Sequence, residues 1–213
     1  MLEVNKELEQ YILEHTTQEE NVLKELTRET HINVMRPRML SGHLQGQLLK
    51  MLSSMLSPKN ILEIGTYTGY SGICLAQGLA EGGKLYTIDI NDEIEDFTMS
   101  FIEKAELTEK IEFLIGDALE IIPSLDKQWD LVFIDADKRD YLNYYNAVID
   151  NVRSGGFILA DDVLWDGKVV EKVEKNDKQT QGIIAFNQFV QEDERVENVI
   201  IPLRHGITLI RKK

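Results

Sequence analysis

The chain has 213 residues, of which 43% are hydrophobic and 28% charged, a balance that suits one globular domain with a sizeable core. Its formal net charge is -14, and this argues against nucleic-acid and membrane partners, since phosphate backbones and anionic lipid surfaces attract clustered Lys and Arg. Cys74 is the single cysteine, which excludes a disulfide within the chain and a zinc site built on cysteines.

The N-terminal residues MLEVNKELEQ are charged and lack the apolar segment of a signal peptide. No apolar run approaches the roughly 20 residues that span a bilayer, so we expect a cytoplasmic protein. No Pro-, Ser- or Gly-rich linker interrupts the chain. We therefore predict a single domain over residues 1–213, with an N-terminal helical part (1–57) and an α/β core (58–213).

Apolar residues at helical spacing predict three N-terminal helices, over residues 2–13, 19–30 and 41–56. Pro37 predicts a loop between the last two. From Asn60 onward a strand–turn–helix pattern repeats. The predicted strands are NILEIG, KLYTIDI, IEFLIG, WDLVFIDA and GGFILADD. The predicted helices cover 70–79, 92–105, 118–122, 140–152 and 182–192.

Short strands that are apolar throughout and alternate with helices predict a parallel sheet covered by helices on both faces. The last two segments, NVIIPL and GITLIRK, are joined by a short turn and predict an antiparallel hairpin at the sheet edge. Ligands of open α/β sheets bind at the carboxyl ends of the strands. The polar motifs described below fall at such ends and are therefore expected to form one site.

The first strand runs into a glycine turn, EIGTYTGYS, in which Gly65 and Gly69 allow the backbone to pass close to a ligand. The turn matches neither the dinucleotide fingerprint nor the phosphate-binding P-loop. Asp89 ends the second strand and could accept the hydroxyls of a ribose, or could be a helix-capping or surface acid. Gly116-Asp117-Ala118 ends the third strand, where Asp117 could either help to read an adenine or cap the next helix.

Three carboxylates follow the fourth and fifth strands: Asp135, Asp161 and Asp162. Adjacent parallel strands lie about 4.8 Å apart, so their end loops can bring these side chains to one point. Their mutual repulsion would be relieved by a divalent cation, and all-oxygen ligation favours Mg²⁺, with Ca²⁺ or Mn²⁺ as alternatives, over zinc. The competing interpretation is that each Asp merely caps a helix or ends a strand.

The runs ILEIGTYTGYS, FIDADKRDYLNYY and GGFILADDVLWDGKV resemble the cation-dependent O-methyltransferases of the caffeoyl-CoA and catechol type. The resemblance extends over nearly the whole chain, including its N-terminal stretch. It implies a Rossmann-like methyltransferase fold with a seven-stranded, mostly parallel sheet whose last strand is antiparallel, and a homodimer. It also implies S-adenosylmethionine as methyl donor and a phenolic, catechol-like small molecule as acceptor.

Residue by residue, the resemblance implies metal ligation by Asp135, Asp161 and Asp162. The cofactor contacts that it implies are Ser41, Glu63, Gly65, Thr66, Ser71, Asp89, Ala118 and Asp137. Lys138 stands where the catechol enzymes carry their general base, and the alternative is a solvated lysine in a charged run. Asp162 departs from the pattern, because the family usually has Asn there; the additional charge leaves the reaction class intact and puts the metal preference in doubt.

Trp165 and Asp166 follow the metal pair and are predicted to line the acceptor pocket, with a core position as the alternative for Trp165. Arg36 and Arg38 flank Pro37 and either meet an anionic part of a substrate or are simply solvated. Two other functions stay open at this stage: a methyltransferase that needs no metal, and a nucleoside-binding protein without catalysis. A dehydrogenase is disfavoured because the glycine pattern is wrong.

Overall fold

The computed structural model describes residues 5–213, so the predicted helix start at Leu2 lies outside the described residues. The α-helices of this range are α1 (Lys6–Glu14), α2 (Asn21–Asn33), α3 (His43–Leu56), α4 (Tyr70–Ala76), α5 (Glu95–Lys104), α6 (Ala118–Ile121), α7 (Tyr141–Val148) and α8 (Lys178–Glu192). The strands are β1 (Asn60–Ile64), β2 (Lys84–Asp89), β3 (Ile111–Ile115), β4 (Trp129–Ile134), β5 (Val152–Ala160), β6 (Val196–Ile201) and β7 (Ile207–Lys212). Between residues 5 and 213 no helix has both the length and the apolarity needed to cross a bilayer.

The strands form one seven-stranded sheet in the order β3-β2-β1-β4-β5-β7-β6. The first five strands pair in parallel, whereas β7 is antiparallel to both of its neighbours, β5 and β6. This confirms the predicted Rossmann-like sheet with an antiparallel last strand. The C-terminal hairpin places β7 inside the sheet and leaves β6 at the edge.

Successive side chains of each strand point to opposite faces of the sheet and pack into two apolar cores, one on each face. Ile61 of β1 packs in the core that α2, α3, α4 and α5 cover. Leu62 and Ile64 of the same strand point to the other core, which α6, α7 and α8 cover. Both faces of the sheet are thus buried, which explains why its strands are apolar throughout.

Several predicted boundaries shift for local reasons. The third helix begins at His43 instead of residue 41, because Gly42 has a φ of 77° and stands outside the helix. The seventh helix ends at Val148 instead of 152, since Val152 already pairs in β5. The last helix begins at Lys178, where the Asp177 side chain accepts a hydrogen bond from the Thr180 N–H, and not at residue 182.

The backbone ladders continue one residue beyond several strand ends and so fix the residues of the predicted site. The N–H of Gly65 donates to the Ile88 carbonyl at 2.9 Å, and that of Asp135 donates to the Ile64 carbonyl at 2.8 Å. The Asp161 N–H donates to the Ile134 carbonyl at 2.9 Å. Gly65, Asp135 and Asp161 therefore lie along one edge of the sheet, each tied to a neighbouring strand by a backbone hydrogen bond.

Candidate active site

Asp135, Asp161 and Asp162 meet at the carboxyl ends of β4 and β5, as predicted. Each offers one carboxylate oxygen, and the three oxygens lie within 4.8 Å of one another. Ile134 pairs with Ala160, so the next residue of each strand, Asp135 and Asp161, is placed side by side. Asp162 has a φ of 59°, a left-handed conformation that Asp tolerates better than most residues, and its carboxylate joins the same group.

The electrostatics of this group favour a cation. Asp161 is only 3% exposed. Burial, together with the nearby negative charges of Asp135 and Asp162, raises the pKa of Asp161 to about 7. Three acids held this close repel one another in their ionised forms, and a hard divalent cation with oxygen ligands would remove that repulsion. The donor set therefore fits the predicted metal.

Lys138 is buried against the same carboxylates. Its Nζ lies 2.8 Å from Asp135 Oδ1 and 3.1 Å from Asp162 Oδ2, and it donates to the Tyr141 hydroxyl at 2.6 Å. Burial by itself lowers the pKa of Lys138, but Asp135, Tyr141 and Asp162 outweigh it, so the pKa is raised well above its ordinary value. The arrangement holds an ammonium group, and a general-base role for Lys138 stays a prediction that needs the neutral amine.

Three residues around these acids escaped the sequence interpretation: Gln45, Tyr141 and Arg204. Gln45 Nε2 donates to Asp161 Oδ2 at 2.5 Å, and Arg204 donates to Gln45 Oε1 at 3.0 Å. The Tyr141 hydroxyl donates to the Asp161 carbonyl at 2.9 Å. The sequence could have indicated Gln45, because it lies on the buried face of α3 with Leu49 and Ser53. A buried side-chain amide needs a hydrogen-bond partner.

A cavity of about 480 Å³ opens beside the acids. Its lining includes Asp135, Asp161 and Asp162 together with Arg36, Pro37, Arg38, Met39, Trp165, Asp166, Arg204 and His205. Trp165 and Asp166 thus lie on the wall of this cavity, and their contact with an acceptor stays a prediction. The His205 Nδ1 lies 2.6 Å from Asp166 Oδ1. The loop with Arg36 and Arg38 forms part of the same wall.

The glycine turn after β1 is shaped by close packing and by Asp89. Gly65 has a φ of 100°, and a Cβ at this position would lie 2.1 Å from the Asp135 carbonyl oxygen. The N–H groups of Thr66 and Tyr67 donate to Asp89 Oδ2 at 3.1 and 2.7 Å. Asp89, predicted to hold a ribose, therefore also holds the turn, and its Oδ1 accepts from the Asn91 N–H at 3.0 Å.

Glu63 is fully buried beneath this turn. The Thr87 hydroxyl donates to its Oε2 at 2.6 Å, and Thr87 and Thr66 share a further hydrogen bond of 2.6 Å. Burial raises the pKa of Glu63 to about 7, although the hydroxyls of Ser71 and Thr87 oppose the rise. Within residues 5–213, Glu63 Oε1 has no hydrogen-bond donor. Thr87, on the neighbouring strand, was missed because an isolated strand threonine carries no motif.

The other predicted cofactor residues differ in burial and in the hydrogen bonds that they make within the chain. Ser41 and Ala118 are buried, and the Ser41 carbonyl accepts from Arg204. Asp117 caps α6 by accepting from the Leu119 N–H at 2.8 Å, which is the capping alternative. Asp137 is bound by the Arg139 side chain, which keeps the pKa of Asp137 below its ordinary value. A cofactor contact at Asp137 remains a prediction, now with Arg139 as a competitor for the carboxylate.

Known proteins resemble this chain over nearly its full length. A family model described as O-methyltransferase matches residues 13–213. Caffeoyl-CoA O-methyltransferase 5 of Nicotiana tabacum is 37% identical, with 96% of this chain and 90% of that protein aligned. The caffeoyl-CoA O-methyltransferase of Petroselinum crispum is 35% identical over the same shares of the two chains.

Solved structures share the fold. The O-methyltransferase from Bacillus cereus in complex with SAH superposes with a TM-score of 0.90 at 29% identity, covering 97% of both chains. TomG from Streptomyces achromogenes, an O-methyltransferase of tomaymycin synthesis in complex with SAM, has a TM-score of 0.89 at 27% identity and covers 97% of this chain and 96% of its own. The range matched by the family model, residues 13–213, spans both the glycine turn and the acid cluster.

Proposed function

This chain belongs to the O-methyltransferase family and is an S-adenosylmethionine-dependent O-methyltransferase, and on that premise we propose that its acceptor is a vicinal dihydroxy aromatic molecule bound through a divalent cation. The observation that carries the proposal is the meeting of Asp135, Asp161 and Asp162 on the wall of one cavity. Neighbouring hydroxyls can chelate one cation, which lowers their pKa and fixes one oxygen for attack.

Asp135, Asp161 and Asp162 would hold the cation. Their oxygens are hard ligands of the kind that Mg²⁺, Ca²⁺ and Mn²⁺ prefer, and we propose Mg²⁺. The bound ion would supply positive charge that stabilises the acceptor oxyanion. Asp162 supplies a full negative charge where the family usually has Asn, so this site should bind a cation tightly.

The turn after β1 would hold the methyl donor, which supplies an electrophilic methyl group on a cationic sulfur. Gly65 lets the backbone of this turn run against the Asp135 loop, and this close approach would bring the proposed donor and cation sites side by side. Asp89 keeps the turn in shape through two N–H groups. Glu63, predicted to contact the donor, lies buried beneath this turn and is joined to it through Thr87 and Thr66, so we propose that it supports the donor site from below.

Lys138 is the amine nearest to the proposed cation site, and we propose that it accepts the acceptor's hydroxyl proton at Nζ. In this structure Asp135 and Asp162 hold its ammonium form. Lys138 loses that proton more easily when further positive charge shares the two carboxylates. Tyr141 keeps Nζ in place through its hydroxyl.

Trp165 is proposed to contact the aromatic ring of the acceptor. It lies on the cavity wall with Asp166, and its backbone has a φ of 45°, which directs the loop that follows the acid pair. The cavity volume of about 480 Å³ is within the range of small-molecule pockets. This size is compatible with a single-ring or two-ring phenolic molecule.

Replacing Asp89 tests the donor site separately from the metal site. Asp89→Ala removes the acceptor for the Thr66 and Tyr67 N–H groups, together with any ribose contact. We expect the affinity for S-adenosylhomocysteine to fall by about 10-fold or more, because each lost hydrogen bond to a charged group contributes about 1.5–3 kcal/mol. Calorimetric titration measures this loss. Asp92→Ala, at an exposed acid nearby, is the control. An unchanged affinity in Asp89→Ala would remove Asp89 from the donor site.

The proposed function is tested with labelled methyl donor, purified protein, and catechol or caffeate as acceptor. We expect methyl transfer with Mg²⁺ and a loss of about 100-fold or more in EDTA, because metal activation contributes several kcal/mol. Resorcinol, whose hydroxyls are not neighbours and cannot chelate one ion, is the matched control and should not react. Transfer that survives EDTA would indicate a metal-independent methyltransferase. Donor binding without transfer to any vicinal diphenol would overturn the proposed acceptor class.

A further inference from the structure

The buried carboxylate of Asp161 is held by an amide from a distant part of the chain. Gln45 is 0% exposed on α3, and its Nε2 donates to Asp161 Oδ2 at 2.5 Å. The other oxygen, Oδ1, accepts from the Asp162 N–H at 2.8 Å. Both carboxylate oxygens are thus oriented by donors, although Asp135 and Asp162 repel the group.

The orientation of the Gln45 amide is itself fixed by Arg204, in the turn between β6 and β7. Arg204 Nη1 donates to Gln45 Oε1 at 3.0 Å and also donates to the Ser41 carbonyl. A guanidinium group has only donors, so the amide oxygen must face Arg204 and the NH₂ group must face Asp161. A flipped amide would oppose donor to donor at one end and oxygen to oxygen at the other.

We infer that Gln45 and Arg204 are positioning residues that hold Asp161 in the orientation required for cation binding. Gln45 does not line the cavity, so it acts through Asp161 and not on the acceptor. Arg204 does line the cavity, and the test therefore measures cation affinity instead of turnover. Without its donor, the Asp161 carboxylate can rotate away from the two acids that repel it. The inference rests on the proposed function, because it concerns the cation site assigned there.

The test is the affinity of the full chain for Mn²⁺, measured by calorimetry, with the affinity for S-adenosylhomocysteine measured in parallel. Gln45→Leu should weaken Mn²⁺ binding by about 10- to 100-fold, the usual effect of removing a partner of a metal ligand. The affinity for S-adenosylhomocysteine should stay within about 3-fold, since Gln45 hydrogen-bonds to Asp161 and Arg204 and to none of the predicted cofactor residues. Gln47→Leu removes an amide from the same helix without touching Asp161 and should change neither affinity.

A double-mutant cycle tests whether Arg204 acts on Asp161 through Gln45, an arrangement called here the relay, or whether Gln45 and Arg204 affect cation binding independently. If Arg204 acts through Gln45, Arg204→Met should weaken Mn²⁺ binding, and adding it to Gln45→Leu should cause little further loss. The inference is overturned if the fold-losses of Mn²⁺ affinity in the two single variants multiply in the double variant, or if Gln45→Leu leaves the Mn²⁺ affinity unchanged. If Gln45→Leu does not fold, Arg204→Met decides alone, and an unchanged affinity overturns the inference. Absence of Mn²⁺ binding in the unmodified chain overturns the proposed function and the relay with it.

Discussion

Asp161→Ala is expected to abolish metal-dependent methyl transfer while leaving the affinity for S-adenosylhomocysteine within a few-fold. Asp161 is the most buried of the three acids and receives donors on both of its oxygens. Among residues 5–213, Asp135 and Asp162 are the acids that join Asp161 in this group, so the variant would keep two of the three acid ligands. Loss of a ligand removes the metal's several kcal/mol of stabilisation, so turnover should fall by about 100-fold or more.

Asp162→Asn is the matched control for this experiment. It removes a charge from the same cluster but keeps an oxygen at the third position, as in the family pattern, and turnover should therefore stay within about 10-fold. Turnover is measured with labelled methyl donor, and donor-site integrity by calorimetry. If Asp161→Ala lost donor affinity as completely as turnover, Asp161 would be a structural residue of the whole edge and not a metal ligand.

Gly65→Ala is expected to destabilise the protein by about 2–4 kcal/mol and to remove most of its affinity for the methyl donor. The added Cβ would lie 2.1 Å from the Asp135 carbonyl oxygen, and neither atom can rotate away, because the oxygen belongs to the backbone and the Cβ is bonded directly to Cα. The φ of 100° adds strain, because residues with a Cβ rarely adopt it. The turn or the Asp135 loop must move, and each move disturbs one of the two proposed sites.

Gly82→Ala separates the strain from the collision. Gly82 also has a positive φ, of 70°, but a Cβ there would meet nothing within 4 Å. This variant should lose only about 1–2 kcal/mol and should bind the donor normally. Urea denaturation gives the stability of both variants, and calorimetry gives their donor affinity. Equal effects of the two substitutions would show that the close approach of Gly65 to Asp135 is unimportant.

The sequence by itself determined the fold class and the position of the site along the chain. Its apolar strands alternate with helices and end in polar residues, and the carboxyl ends of parallel strands share one edge of a sheet. This local pattern was sufficient to predict that Asp135, Asp161 and Asp162 meet, and that Gly65 begins a tight turn. The structure brought these residues together as expected.

The tertiary structure decided which partners these residues have. Asp161 accepts a hydrogen bond from Gln45, 116 positions away, and Gln45 accepts one from Arg204, a further contact across 159 positions, through the packing of α3 and of the last hairpin against the sheet edge. Local packing likewise decided that Lys138 is held as an ammonium group and that Asp89 is engaged by the turn it was expected to border. The contact between Gln45 and Asp161 depends on long-range packing, and those of Lys138 and Asp89 depend on the rotamers of the side chains. Neither leaves a periodic signal along the chain.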